Sequence, residues 1–418
     1  MRQQFQKGVT FNVIPCDKFK DICFSINFFA SNNEKTATER ALLAMMMVDR
    51  CKKYDSKKKM SKICDMLYGC SLGSRVLTYG KAHCVEIRSR MIHPSFVNQK
   101  DSLMNEWFSF IKEVLFSPMF NEELFEENKR ILLSKMKRRE DDAQSYIIGK
   151  AFETAGKNEP LEIKPRGSEK VLKTLSLSDI ERQYTSMIQK DQIEIVLCGN
   201  FDENEMVQYL SKLSFSQRET EIEFEYKIRE KTYQQISEEK NQPQSNIAIV
   251  LSTDTTVTEE DFSVLKVCNG ILGQLPSSYL FQVVREQHSL CYSIYSSLVS
   301  YDGAMIITTG VEKKNIEKAI QLIDEQIERC IQGDISEELL DTTKQMLINS
   351  LRHSLDEMSS IVSYTLNNAV LNRDFPVEKN IESIQKVTLE EVIQCFSKLK
   401  KAVTYVVSSM EVSNEQDQ

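Results

Sequence analysis

From Asp21 to Phe28 the chain alternates strictly between polar and apolar side chains. Ile22, Phe24, Ile26 and Phe28 fall on one side of a period of two, and Asp21, Cys23, Ser25 and Asn27 on the other. That spacing predicts a β-strand with one buried face. A second apolar run, NIAIVLSTDT from Asn246, opens a later set of elements in the same way. Helical spacing follows the first strands, around residues 38–49, 57–69, 99–116 and 121–138. One-faced strands mixed with such helices predict an α+β layout, in which helices pack mainly on one face of a sheet.

The pattern runs through the chain twice. FNEELFEENKRILLSKMKR begins at Phe120, and ISEELLDTTKQMLINSLRH begins at Ile335, 335 − 120 = 215 residues later. The apolar stripe Leu124, Ile131, Leu132 and Met136 recurs as Leu339, Met346, Leu347 and Leu351. Asn121 and Ser336 stand where a side chain caps the free N–H groups of a first helical turn. A second echo keeps the same order. LSLSDIERQYTSMIQK, from Leu175, leads into the strand-like IEIVLCGN, and VTLEEVIQCFSKLKK, from Val387, leads into VTYVVSS. Two echoes in one order imply an internal duplication. The charge-dense stretch from Ser214 to Asn246 reads as a linker with one short strand. The expected domains are therefore residues 1–225 and 226–418, two duplicated α+β domains.

Composition narrows the class. A chain of 418 residues suits two domains of ordinary size and needs no disulfide staples. The formal net charge of −8 leaves no general basic footprint, so nucleic acid is not an expected partner. No apolar stretch reaches the length of a membrane span, and the N-terminus carries no signal-peptide pattern. The 11 cysteines form no C-x-x-C pair and read as reduced, mostly buried thiols. The expectation is a cytoplasmic protein with no membrane partner. The basic run from Lys52 to Lys62 reads as a solvated loop, and the cluster Met45–Met47 as core filling.

The stretch NGILGQLPSSYLFQVVREQHSLCYSIYSSLVSYDGAMIITTGVE, from Asn269 to Glu312, is the most informative. It holds an N-x-x-L-G turn at Asn269–Gly273, a Ser-rich helix start at Ser277–Ser278 and an R-E pair at Arg285–Glu286. Tyr292 follows seven residues after the Arg, and an aromatic-x-Gly turn lies at Tyr301–Gly303. These elements, in this order, resemble the second-domain signature of the pitrilysin/insulinase peptidases, which include the processing peptidases. PRGSEKVLKTLSLSDIERQY, with Gly167 before a helix, and LFSPMFNEELFEENKRILLSKMKRREDD extend the resemblance through the first half. The resemblance implies that Arg285 and Tyr292 bind a peptide substrate opposite a zinc site. Their chemistry suits that role: a guanidinium is a permanent fork of donors, and a phenol can stabilise a carbonyl oxygen gaining negative charge.

The family's zinc motif is missing. H-x-x-E-H needs two imidazoles on one helical face and a carboxylate between them. The chain has four His, namely His83, His93, His288 and His353, and no two are close in sequence. In the helix RALLAMMMVDRCKKY, Ala41, Ala44 and Met45 stand at the three motif positions, and Ser134 and Lys135 stand where the third ligand, a Glu, belongs. No metal site is therefore expected, and no peptidase activity from this chain alone. His288, between Arg285 and Tyr292, reads as an ordinary hydrogen-bonded residue. By the resemblance, the partner is a second family chain that bears H-x-x-E-H and the zinc, forming a heterodimer that closes like a clamp on a peptide. The alternative is a peptide- or protein-binding scaffold with no proteolytic partner.

Overall fold

The computed structural model describes residues 2–98, 100–219 and 221–410. The chain divides into two compact units. The first comprises Met1–Lys137, Ile163–Phe224 and His353–Asp374, and the second Arg138–Glu162, Glu225–Arg352 and Phe375–Gln418. Each half of the sequence thus contributes one segment to the unit built by the other half.

The first unit is organised by a six-stranded sheet of β1 (Arg2–Gln6), β2 (Val9–Pro15), β3 (Asp21–Ser31), β4 (Ser71–Tyr79), β5 (Ala82–Ile92) and β6 (Gln192–Gly199), in the order β1-β2-β6-β3-β5-β4. Only β2 and β6 pair in parallel. The second unit holds β7 (Gln234–Lys240), β8 (Ser245–Ser252), β9 (Cys291–Val299), β10 (Ala304–Val311) and β11 (Lys400–Ser409), in the order β7-β11-β8-β10-β9. Here β7 and β11 form the parallel pair. Strand for strand, this sheet repeats the first from β2 onward, so the two halves are two copies of one topology. The short strand expected in the linker is β7. Asn121 and Ser336 cap the equivalent helices, accepting from the N–H groups of Leu124 at 2.8 Å and Leu339 at 3.1 Å.

In the first unit Ile22, Phe24, Ile26 and Phe28 face a helical layer containing Ala41, Leu42, Trp107, Leu132 and Met187. Burying such side chains stabilises the fold by about 1.5–3 kcal/mol each. In one respect the structure departs from the strand pattern. Cys23, Ser25 and Asn27 on the polar face are buried as well. Helix Met358–Val370, from the second half, packs against β6, and its neighbours Ala369 and Asn372 accept hydrogen bonds from Arg2. The polar face survives burial because its groups satisfy one another. Asn12 donates to Glu194 at 2.9 Å, Ser25 to Glu86 at 2.8 Å, and Asn27 to the Glu194 carbonyl at 3.1 Å. The second unit closes the matching face differently. Helix Ala143–Ala155, from the first half, sets Ile147, Ala151 and Ala155 against Ala248, Val250, Ile306 and Val403, a mainly apolar seam with a polar edge where Gln144 donates to the Tyr295 hydroxyl at 2.6 Å.

Helix Glu34–Asp49 is buried nearly all round, from Ala37 to Met47. Its Arg40 is wholly buried and ion-paired with Asp191, and it donates to His83 Nδ1 at 3.0 Å and to the Phe28 carbonyl at 2.7 Å. His83 Nε2 lies 2.8 Å from the Pro165 carbonyl, so the ring is neutral with its proton on Nε2. Burial, and then the Arg40 charge, push its pKa down to about 3. Gly167, at φ +68°, lies over the same helix, where a Cβ would meet Thr38 Oγ1 at 1.8 Å.

In the second unit the middle of the expected linker is strapped to the β9–β10 hairpin. The N–H groups of Tyr226 and Ile228 each donate at 2.9 Å to the carbonyls of Tyr301 and Asp302. The Asp302 side chain is buried beneath the strap, where burial pushes its pKa up to about 6; the Tyr226 hydroxyl opposes the shift and Glu159 adds to it.

Two stability measurements follow. Arg40→Met strands the Asp191 carboxyl in the core and is expected to cost about 3–5 kcal/mol by chemical denaturation, part of which the additional change Asp191→Leu restores. Asp302 is protonated more readily when folded, so its contribution is complete below its unfolded pKa near 3.8 and is lost as pH rises through about 6. Asp302→Asn is therefore expected to stabilise the protein at pH 7 by roughly 2 kcal/mol, with the gain vanishing below about pH 4.

Candidate functional site

Arg285 and Tyr292 belong to the second unit and stand side by side. Arg285 lies in a π-helical turn, Phe281–Gln287, and its guanidinium stacks 4.3 Å from the centre of the Phe281 ring and 5.8 Å from that of Tyr292. Glu286 pairs with it at 3.6 Å. A cation held over an aromatic face is attracted by the ring quadrupole, which restricts both side chains. The chain then reverses at Ser289, with φ +52°, and enters β9.

Tyr292 is 89% exposed, unusual for so large an apolar body. A β-bulge sets it there. Cys291 pairs with Val311 and Ile294 with Thr309, so Tyr292 and Ser293 together oppose the single residue Gly310. Bulges bend a strand and re-aim the side chain at the extra position. At Gly310 a Cβ would meet the amide end of the Gln244 side chain at 2.2 Å, so that side chain lies directly over the glycine. Beside Tyr292 an open hollow of about 400 Å³ is lined by Gln244, Ser289, Gly310 and Lys313 among others.

The rest of the motif is structural. Asn269–Gly273 does not form a turn. The helix Phe262–Asn269 continues through a π-helical segment, Gly270–Gln274. Buried Asn269 accepts from Ser296 Oγ at 2.7 Å, which fastens this helix to β9, and Gly273 leaves no room for a Cβ beside the Ser296 backbone. Tyr301–Gly303 is the β9–β10 hairpin, with Gly303 at φ +60°. His288 is exposed at the end of the Arg285 turn and makes no ring contact with Tyr292 among those described.

At the motif positions of the first half, Ala41 and Ala44 are 3% and 2% exposed, packed in the core, and Met45 packs against the same cluster. Two methyl groups and a thioether supply neither imidazole nor carboxylate, so these residues do not fit a zinc ion. Ser134 and Lys135 are exposed on helix Glu122–Asp141. That helix meets the end of Glu34–Asp49 through ion pairs of Arg50 and Lys57 with Glu127, a packing contact rather than a ligand set. Among the described residues no group of three or more His, Cys, Asp or Glu is placed to hold a metal.

Residues 174–347 match the family model described as the Peptidase M16 inactive domain. Over 411 residues the chain is 25% identical to "Probable inactive metalloprotease YmfF" of Bacillus subtilis (strain 168), covering 97% of this chain and 96% of that one. Over residues 174–347, and in its likeness to that relative along nearly the whole chain, the protein resembles inactive members of the pitrilysin/insulinase family. It is 23% identical over 309 residues to "Non-peptidase homolog YmxG" of Helicobacter pylori, covering 69% of this chain and 68% of that one. A conserved protein from Enterococcus faecalis V583 superposes with a TM-score of 0.92 at 26% identity, over 99% of both chains. The Peptidase M16 inactive domain protein of Pseudomonas fluorescens shares the fold, with a TM-score of 0.80 at 15% identity, covering 98% of both chains. Proteins named inactive or non-peptidase are thus among those this chain resembles, and the positions Ala41, Ala44 and Met45 of its own motif helix carry no zinc ligand.

Sequence reasoning passed over Gly310 and the bulge. The available signal was a glycine inside an otherwise β-branched strand, AMIITTGV. It also passed over the buried Arg40, which adjoins the degenerate motif. No helix among the described residues is long and apolar enough to cross a membrane.

Elemental analysis of the purified chain after dialysis against zinc is expected to find far less than one zinc per chain. A stoichiometric value that survives washing would overturn the reading of Ala41, Ala44 and Met45.

Proposed function

We propose that this chain is the non-catalytic, peptide-binding subunit of a two-chain zinc peptidase, working in the cytoplasm with a family partner that carries H-x-x-E-H and the metal. One observation carries the proposal. The chain offers no zinc ligands at the motif helix, yet it holds Arg285 against Tyr292 and projects Tyr292 outward from a bulge. A protein that needed neither residue for chemistry gains little from exposing a tyrosine this far. In the working pair, the Tyr292 hydroxyl donates to a peptide carbonyl oxygen that gains negative charge during attack by the partner's metal-activated water. The Arg285 guanidinium orients the ring and adds positive charge nearby. This chain holds no metal of its own and takes no nucleic acid or membrane partner.

The second reading is a peptide- or protein-binding scaffold without a proteolytic partner. The name of the Helicobacter pylori relative, a non-peptidase homolog, favours it.

Gentle isolation of the chain from its native cells separates the two readings. An equimolar companion of similar length bearing H-x-x-E-H supports the pair, whereas a self-dimer or a lone chain supports the scaffold. In the reconstituted pair, Tyr292→Phe is expected to lower kcat by roughly 10²-fold while the complex stays intact. Arg285→Ala is expected to lower it too, and wild-type turnover by either variant would end the proposal of a shared site.

A further inference from the structure

We propose that Cys64 and Cys70, in the first unit, form a reversible dithiol–disulfide site that reacts with hydroperoxides. The pair lies outside the Arg285–Tyr292 site and does not depend on the function proposed above.

The local backbone brings the two sulfurs together. Helix Lys57–Met66 begins at Ser56, whose side chain caps it, and ends at Leu67. Two left-handed residues follow in succession, Tyr68 at φ +54° and Gly69 at φ +75°. An aromatic residue in this region is uncommon and costs about 1 kcal/mol or more. The reversal turns both Gly69 N–H, at 2.9 Å, and Cys70 N–H, at 3.1 Å, onto the carbonyl of Cys64. Bond geometry then places the two Cα atoms no more than about 7 Å apart, at the edge of the range a disulfide spans. The two thiols are near enough for each to shift the ionisation of the other, in opposite senses.

The environments of the two thiols differ in the way such chemistry requires. Cys64 is half-buried and Cys70 is 4% exposed. The interaction with Cys70 holds the Cys64 thiol below its ordinary pKa, against burial and the charge of Asp65, and drives Cys70 upward. The turn itself is at the surface. Met66 and Tyr68 are exposed, and nothing approaches the position of a Cβ on Gly69. A small peroxide therefore reaches Cys64. The buried thiols of Cys23 and Cys330 are instead pushed up by desolvation.

The chemistry balances with a hydroperoxide as the oxidant. The Cys64 thiolate attacks one peroxide oxygen, an S–O bond forms, the O–O bond breaks, and the second oxygen leaves as hydroxide or alkoxide and takes up a proton. The Cys70 sulfur, giving up its proton, then attacks the Cys64 sulfenic sulfur. The S–S bond forms, the S–O bond breaks, and water departs. Two electrons pass from the pair of sulfurs to the peroxide. A dithiol reductant reverses the change.

The test uses the full-length native protein. Hydrogen peroxide is titrated in, remaining thiols are alkylated, and the digest is weighed. Trypsin cuts after Lys62 and Arg75, so both cysteines fall in one peptide, ICDMLYGCSLGSR. The expected product is this peptide lighter by two hydrogens and free of alkyl groups, restored by dithiothreitol. It should form at roughly tenfold less peroxide than modifies Cys291, a half-buried thiol with no cysteine among the groups that shift it. Cys70→Ser is expected to stop the reaction at a Cys64 sulfenic acid that dimedone traps. A doubly alkylated peptide while Cys291 is already oxidised, or no dimedone adduct in Cys70→Ser, would overturn the proposal.

Discussion

A β-sheet has two faces, and each half of this chain builds helices for only one of them. The other face carries strand groups that cannot be left half-covered, because Asn27, Ser25 and Glu194 in one sheet and Val250, Ile306 and Val403 in the other are all buried. The helix that closes each second face comes from the opposite half of the sequence. Met358–Val370 serves the first unit and Ala143–Ala155 the second. Neither half has a complete core of its own. The duplication therefore produced one protein with an exchanged helix, not two independent modules on a string.

The two copies meet that constraint with different chemistry. The second sheet closes mainly by apolar contact, where each buried side chain stabilises through area removed from water. The first sheet closes over a hydrogen-bonded polar layer, where stability depends on every group finding a partner and the loss of one leaves others stranded. The same holds on its helical side for Arg40, whose charge is tolerated only because Asp191, His83 and the Phe28 carbonyl surround it. These networks fix the register of β3, β5 and β6 and the seat of helix Glu34–Asp49, so the helix that would hold a catalytic metal is anchored firmly although it carries no ligands.

The copies have also diverged in what they retain. Ala41 and Ala44 fill core space where ligands would need a polar, accessible environment, so packing has replaced chemistry at that helix. At the matching level of the second copy, packing was set aside: a bulge, a glycine opposite it and a π-helical turn place Arg285 and Tyr292 where they contribute little to the core. A bulge, a π-helical turn and a left-handed Ser289 thus flank these two residues.

Much of this was legible in the residues alone. Period-two and helical spacing gave the α+β class, the two echoes gave the duplication, and the caps at Asn121 and Ser336 and the glycine at Gly167 were visible because they depend on local backbone chemistry. The absence of H-x-x-E-H is likewise a fact of sequence. Tertiary structure alone decided the rest. No periodicity reveals that Ser25 and Asn27 are buried, since their partners lie on strands far along the chain. Nor does any local pattern say that Ala143–Ala155 and Met358–Val370 change places, because an amphipathic helix encodes that it must be covered but not by which sheet. The exposure of Tyr292 depends on the register of β9 against β10, a pairing between two strands that neither strand specifies by itself.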